Sequence, residues 1–310
     1  MAGVGGAVEA DSSWAFEEGD EIAPGRQAVR LLGGGRRYEA YLAWDDTLYS
    51  LVVVKILRPS LVADAPTRAA LTGEARAVAA LNHPAIVRSF DAVLDGDRPH
   101  LVLEFLDGPR LSTLIRRYGV ILEQLLPLAL EVCSALHYMG AKRIVHLDVK
   151  PRNIIMAGPP RLIDLSVAMS LDEIDAIKTQ IGTDAYMAPE QCDPERFAEI
   201  GPPSDVWGLG VTLYEAMSRS LPFPPPASDS SLPLERRYPQ LAGESSPLPK
   251  EVPDAVARVV LACLERRPED RPSALALAQT LEPWVAGLPR PRLGLFRPGG
   301  RIRRGAFDIG

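Results

Sequence analysis

The sequence predicts an α+β chain in which strands come first and helices follow. Strand-like apolar runs occupy residues 26–57 and return at His100 to Phe105. Beyond Asp107-Gly108-Pro109, which breaks the chain, apolar residues recur at helical spacing, as in Leu125, Ala129, Val132, Leu136 and His137. At 310 residues and 46% hydrophobic content the chain has enough apolar side chain for a sizeable core, in one large domain or two smaller lobes.

Taken in order, residues 1–25 are rich in Gly, Ala and acid and read as a disordered leader, although Trp14 and Phe16 are suited to dock on the body. Ala28 to Leu32 leads into Gly33-Gly34-Gly35-Arg36-Arg37-Tyr38, and a second strand follows through Ala43. Lys55 ends the apolar run Leu51 to Val54. Thr67 to Leu81 reads as a helix with Leu71, Ala75, Val78 and Ala79 on one face; Gly73 within it costs about 1 kcal/mol relative to Ala. Leu111 to Arg117 and Leu122 to Gly140 read as further helices. Pro222 to Pro249 is rich in Pro and Ser and reads as a long connector, with a short helix around Leu234 to Tyr238. Val252 to Arg266 and Pro272 to Ala286 close the fold, and residues 288–310 form an Arg-rich tail expected to be flexible.

A net charge of -6 argues against nucleic acid as the main partner. Cys133, Cys192 and Cys263 share no metal-like spacing and are odd in number, so they read as buried, reduced thiols of a cytoplasmic protein. The first residues lack the basic and apolar regions of a secretory signal. The most apolar segment, Val120 to Ala141, is interrupted by Glu123, Gln124, Pro127 and Glu131, so no membrane anchor is expected.

The chemistry concentrates in His146-Leu147-Asp148-Val149-Lys150-Pro151-Arg152-Asn153 and in Ile163-Asp164-Leu165-Ser166. An acid two residues before a lysine, an amide five residues after that acid and a second acid beyond are what phosphoryl transfer to a hydroxyl requires. Asp148 can accept the hydroxyl proton, Lys150 can neutralise the γ-phosphate, and Asn153 with Asp164 can hold Mg²⁺ by oxygen. The stretch resembles the protein-kinase catalytic loop in its H-x-D-x-K-x-x-N form, typical of the Ser/Thr branch. Gly182 to Glu190, with its Ala188-Pro189-Glu190, then Ser204-Asp205-Val206-Trp207-Gly208, then Arg271-Pro272-Ser273 look like the later motifs of that family, in the family's order. The chain resembles the bacterial members of the eukaryotic-type Ser/Thr protein kinases over residues 26–287.

The resemblance implies a two-lobed protein kinase fold: a small β-rich lobe with one regulatory helix, αC, over residues 26–106, and a larger, mainly helical lobe over residues 107–287. It implies a non-specific serine/threonine protein kinase that uses ATP and Mg²⁺ and acts on protein substrates. Gly33 and Gly35 match the first two glycines of the phosphate loop, and Lys55 bridges the phosphates and pairs with Glu74. Ala40, Val53 and Ile155 line the adenine pocket, Leu103 stands beside the base, and Glu104 and Leu106 meet it through their backbones. Thr183 contacts Asp148 and Lys150, which suits a Ser/Thr acceptor, and Thr179 is a candidate for phosphorylation. His146, Glu190, Asp205 and Arg271 take structural roles, Glu190 pairing with Arg271 and Asp205 tying down the catalytic loop. The Pro-rich connector and the Arg-rich tail are the segments open to a further partner.

Several positions depart from the family pattern. Tyr38 replaces the third glycine. Leu147 replaces the arginine that holds a phosphorylated activation segment, so activity is expected not to depend on that phosphate. Leu165-Ser166 replaces Phe-Gly, and a Cβ at Ser166 is expected to hinder rotation of Asp164 out of the site. These changes favour a pseudokinase acting as a nucleotide-binding or scaffolding module; the complete set Lys55, Glu74, Asp148, Lys150, Asn153 and Asp164 opposes it.

Ala40 and Val53 stand where the family carries valine and alanine, so the pocket roof has exchanged a large and a small residue and kept its volume. The double reversion Ala40→Val with Val53→Ala is expected to keep nucleotide affinity better than either single change, as titration calorimetry would show. Equal losses in all three variants would contradict this compensation.

Overall fold

The structure, a computed structural model, describes residues 12–174, 179–197 and 200–288. The start of the acidic leader and the Arg-rich tail from residue 289 lie outside the described residues.

Six strands build the small lobe: β1 (Glu21–Ala23), β2 (Arg26–Gly34), β3 (Tyr38–Asp45), β4 (Ser50–Leu57), β5 (Ser89–Val93) and β6 (His100–Glu104). They are antiparallel, in the order β1-β2-β3-β4-β6-β5. The two-residue period divides their side chains between faces. Tyr41, Ala43, Val52, Val54, Ile56 and Val102 are buried together with Ile22 and Ala28. Tyr38, Ala40 and Leu42 take the opposite face, where Ala40 pairs with Lys55, Leu42 with Val53, and Val53 with Leu103.

The sheet begins before Arg26, and residues 12–23 pack on it rather than extending a disordered leader. Trp14 stacks on Phe16 at 5.7 Å, Phe16 meets Tyr41 edge-on at 5.3 Å, and the Arg98 guanidinium covers both Trp14 and Phe16. The Trp14 indole N–H donates to the Leu57 carbonyl at 2.7 Å. The acidic composition of the leader suggested disorder, but burial of two aromatic rings outweighs it locally.

Helix α1 (Ala65–Ala80) starts two residues before the apolar pattern because Asp64 caps it, accepting from the Thr67 N–H at 2.9 Å and the Thr67 hydroxyl at 2.6 Å. Leu71, Glu74, Ala75, Ala77 and Val78 are its buried face, while Ala79 is exposed.

The large lobe carries α2 (Leu111–Arg117), α3 (Leu122–Ala141), β7 (Ile144–Val145), β8 (Ile154–Met156), β9 (Pro160–Leu162), β10 (Met169–Ser170), α4 (Leu171–Ile174), α5 (Pro189–Cys192), α6 (Pro202–Ser218), α7 (Leu234–Arg237), α8 (Asp254–Ala262) and α9 (Ala274–Ala286). α3 lies against α6 and α9 around a core of Leu125, Val132, Leu136, Met139, Trp207, Leu209, Tyr214, Leu277 and Leu281. The α3 stripe continues through Met139, and His137 is exposed, contrary to the expected face. α8 is shorter than expected: Pro253 provides its cap and Val252 stays outside it. The Pro-rich connector is tied to the body. Phe223 stacks on Trp207 at 5.6 Å, the Ser246 N–H donates to the Pro222 carbonyl at 2.8 Å, and the Tyr214 hydroxyl donates to the Pro247 carbonyl at 3.2 Å. All three cysteines are buried and free.

One ion pair fastens the end of the activation segment to this lobe. Both Arg271 and Glu190 are fully buried and meet at 2.7 and 2.8 Å, and the guanidinium also donates to the carbonyls of Pro203, Glu265 and Arg266. Ser204 completes the carboxylate at 2.7 Å. Removing one partner of such a pair leaves a buried charge uncompensated, so Arg271→Ala is expected to cost about 3–5 kcal/mol. Denaturant unfolding would measure it, and a loss below about 1 kcal/mol would contradict the assignment.

Candidate active site

The catalytic loop joins β7 to β8 across a tight turn at Pro151–Asn153. Its direction is set by Asp205 of α6, which accepts the N–H groups of His146 at 2.8 Å and Leu147 at 2.7 Å. Leu147 is thereby held at φ 61°, a left-handed conformation that costs an L-residue about 1–2 kcal/mol. His146 braces the same turn, accepting from the Asp148 N–H through Nδ1 and donating to the Ile163 carbonyl through Nε2, each at 3.3 Å.

Four side chains then converge. The Lys150 ammonium donates to Asp148 Oδ2 at 2.6 Å and to the Thr183 hydroxyl at 2.5 Å, and that hydroxyl donates to Asp148 Oδ1 at 2.7 Å. The Asn153 amide donates to the Asp148 carbonyl and to Oδ2, both at 3.0 Å. Asp148 is therefore fixed in orientation by Lys150, Thr183 and Asn153.

A second cluster lies between the lobes. Lys55 Nζ meets the Glu74 carboxylate at 2.7 and 2.9 Å and Asp164 Oδ1 at 2.9 Å. Burial alone would lower the Lys55 pKa, but the charges of Glu74 and Asp164 outweigh it and hold the pKa above the usual lysine value. Burial would likewise raise Asp164, and Lys55 outweighs it and holds this carboxylate well below the usual range. Leu165 is buried in the core of the large lobe. The left-handed residue here is Asp164 itself, at φ 65°, and Ser166 needs no positive φ in this state.

The oxygens available suit a divalent metal. Asn153 uses its amide nitrogen on Asp148, which leaves Oδ1, and Asp164 keeps Oδ2 on a side chain that is 37% exposed. Among the described residues no group of three His, Cys, Asp or Glu side chains forms an all-protein cage. Two hard oxygens at the mouth of a cleft fit a cation that completes its shell with phosphate and water.

On the nucleotide side, Ala40 and Val53 are half-buried on the cleft face, with Leu103 next to Val53 across the ladder. Ile154 packs into the core of the large lobe, and Ile155 alternates away from it. Leu106 packs at the edge of that core; the Glu104 N–H bonds the Arg88 carbonyl at 2.9 Å, and its carboxylate lies 4.0 Å from Arg161. The phosphate loop is a tight hairpin. Gly33 has φ 145°, a Cβ on Gly34 would lie 2.7 Å from the Tyr38 carbonyl, and the Gly35 N–H donates to that same carbonyl at 2.9 Å.

Two neighbours escaped sequence reasoning. Tyr38 was noted only as a missing glycine, yet its ring lies 4.7 Å from Lys55 Nζ; the available signal was its two-residue spacing from Ala40. Gln191 donates to the carbonyls of Leu147 at 2.9 Å and Ile181 at 2.8 Å, stitching the activation segment to the catalytic loop. No short-range pattern marks it. Leu147 itself is buried with Val145, Ile174 and Ile200, against Val167, Met169 and Ile181. Thr179 is exposed, and residues 175–178 lie outside the described residues. Asp172 pairs with Arg143 at 2.6 Å on the surface, where such a pair contributes at most about 1 kcal/mol.

Among the described residues no helix is long and apolar enough to cross a membrane. The protein kinase domain family matches residues 26–285. The chain is 32% identical over 255 residues to the serine/threonine-protein kinase PknB of Mycolicibacterium smegmatis, covering 78% of this chain and 40% of the relative. It is 32% identical over 251 residues to PkaA of Streptomyces coelicolor, with 76% and 44% covered, and 30% identical over 292 residues to PknA of Mycobacterium tuberculosis, with 91% and 66% covered. It thus spans less than half the length of the first two of these curated relatives. With the motif order, the two-lobed architecture and this match in agreement, the chain belongs to the protein kinase family, among relatives that are bacterial serine/threonine kinases.

Proposed function

We propose that the chain transfers the γ-phosphoryl group of ATP to Ser or Thr hydroxyls of proteins, with Mg²⁺ as the metal. The observation that carries this reading is the hydrogen-bonded set Asp148, Lys150 and Thr183, with the acid, the cation and a hydroxyl within 2.7 Å of one another. The Thr183 hydroxyl occupies the kind of position a substrate hydroxyl would share, between acid and cation. That supports an aliphatic alcohol as acceptor, in keeping with the names of the relatives.

In the reaction the acceptor oxygen forms a bond to the γ-phosphorus, its proton passes to an Asp148 carboxylate oxygen, and the bond to the β-phosphate oxygen breaks to release ADP. Lys150 balances charge on the transferred group, and Lys55, already an ammonium, balances it on the phosphates that remain with ADP. Asn153 and Asp164 would hold Mg²⁺, which when bound would supply further charge neutralisation on the phosphates. Such transfer depends on positioning and charge, and every charged member is in place, which weighs against the pseudokinase reading. The buried free thiols accord with a reducing, cytoplasmic setting.

Asp148→Asn is expected to lower transfer of labelled γ-phosphate by about 10²–10⁴-fold while ATP affinity is kept. Undiminished transfer by the variant would remove Asp148 from its role. Leu147 offers no cation to a phosphate on Thr179, and its side chain anchors the segment by apolar contact instead. Phosphatase treatment, checked by intact mass, is therefore expected to leave the specific activity within about twofold. Loss of activity on dephosphorylation would show that the segment needs its phosphate.

A further inference from the structure

Tyr38 stands at the third glycine position of the phosphate loop. Glycine would leave that point of the cleft face bare. Tyr38 instead lies on the same face as Ala40, opposite Leu57 across the ladder. Its ring covers Lys55 Nζ at 4.7 Å, and the residue packs against the cluster formed by Leu57, Leu71, Ala75 and Leu101. Leu71 and Ala75 belong to α1, the helix that also carries Glu74. One ring therefore covers the ammonium and packs against a cluster to which the strand that bears that ammonium and the helix that bears its partner both contribute.

The energetics favour a role for the ring over one for the hydroxyl. The Lys55 side chain is 14% exposed, and a ring face attracts an ammonium more strongly once water is removed. The Tyr38 hydroxyl is buried without a hydrogen-bond partner, which is unfavourable in itself. The carboxylates of Glu74 and Asp164 take up the N–H donors of Lys55, so the ring supplies the remaining contact that limits where the ammonium can move.

We propose that Tyr38 is a positioning residue for the phosphate end of the nucleotide site: its ring clamps the Lys55 ammonium and couples it to α1, in place of the open third glycine. This rests on the reading of Lys55 as a ligand of the ATP phosphates. A clamp of this kind affects ligands that carry phosphates and spares those that do not.

The experiment compares Mg·ATP and adenosine affinity by titration calorimetry for the full chain and for Tyr38→Phe, Tyr38→Leu and Tyr38→Gly. Tyr38→Phe keeps the ring and is expected to bind both ligands within about twofold of the unaltered chain. Tyr38→Leu and Tyr38→Gly are expected to weaken Mg·ATP by about tenfold and to leave adenosine within about twofold, the adenosine value also confirming an intact cleft. Mg·ATP affinity that is unchanged or improved in Tyr38→Gly overturns the clamp, because the ring would then be an obstacle. Equal loss of both ligands in the Leu and Gly variants also overturns it, since Tyr38 would then serve the fold alone. If the unaltered chain binds adenosine as tightly as Mg·ATP, the reading of Lys55 fails and the clamp with it, whatever the variants do.

Discussion

A buried carboxylate accepting two consecutive backbone N–H groups is the constraint from which the active site follows. Asp205 is 3% exposed, and burial pushes its pKa up, while His146 and the amides of His146 and Leu147 act in the opposite direction. Its two hydrogen bonds offset the left-handed turn at Leu147, and that turn is what aims Asp148 at Lys150 and Thr183. The turn can lie so close to α6 because residue 208 is glycine: a Cβ there would stand 2.9 Å from the Val149 carbonyl. α6 in turn is held at its N-terminal end by Ser204 and the Pro203 carbonyl, both joined to the Glu190–Arg271 pair. The first turn of α6 thus joins the Glu190–Arg271 pair to the turn that carries Asp148.

The charged groups divide into two clusters, each organised around one lysine. Lys150 joins Asp148 to Thr183, and Lys55 joins Glu74 of the small lobe to Asp164 of the large one. The Lys55 cluster is the more demanding, because an ammonium taken out of water is tolerated only with its carboxylates close by. The two carboxylates come from different lobes, and both raise the Lys55 pKa against its burial, Glu74 the more. The Lys55 ammonium thus joins α1 of the small lobe to Asp164 of the large one.

Much of this was legible in the sequence because the chemistry is local in chain order. Asp148, Lys150 and Asn153 fall within six residues, and their spacing alone brings them to one turn. The ladder faces followed from alternation, which set Ala40, Val53 and Lys55 on one side. What escaped was non-local or conditional on packing. Trp14 and Phe16 dock through contacts with Leu57, Tyr41 and Arg98, distant in sequence and hidden inside an acidic leader. Gln191 is an ordinary residue until the fold brings two carbonyls to its amide. The left-handed conformation in this stretch falls at Asp164, whose carboxylate meets Lys55.

Leu147, standing where the family pattern has arginine, changes the physics of the contact at this point. An arginine there would face an anionic partner, and its hold on the activation segment would rise and fall with charge and ionic strength. A leucine buried with Ile174 and Ile200, against Ile181, holds the segment by exclusion of water, which salt does not screen. The Gln191 bonds to Leu147 and Ile181 run beside that apolar contact and fix the same two strands of chain. The segment is thus fastened by an apolar contact and by amide hydrogen bonds, while the contact that bridges the two lobes, Lys55 with Glu74 and Asp164, is ionic.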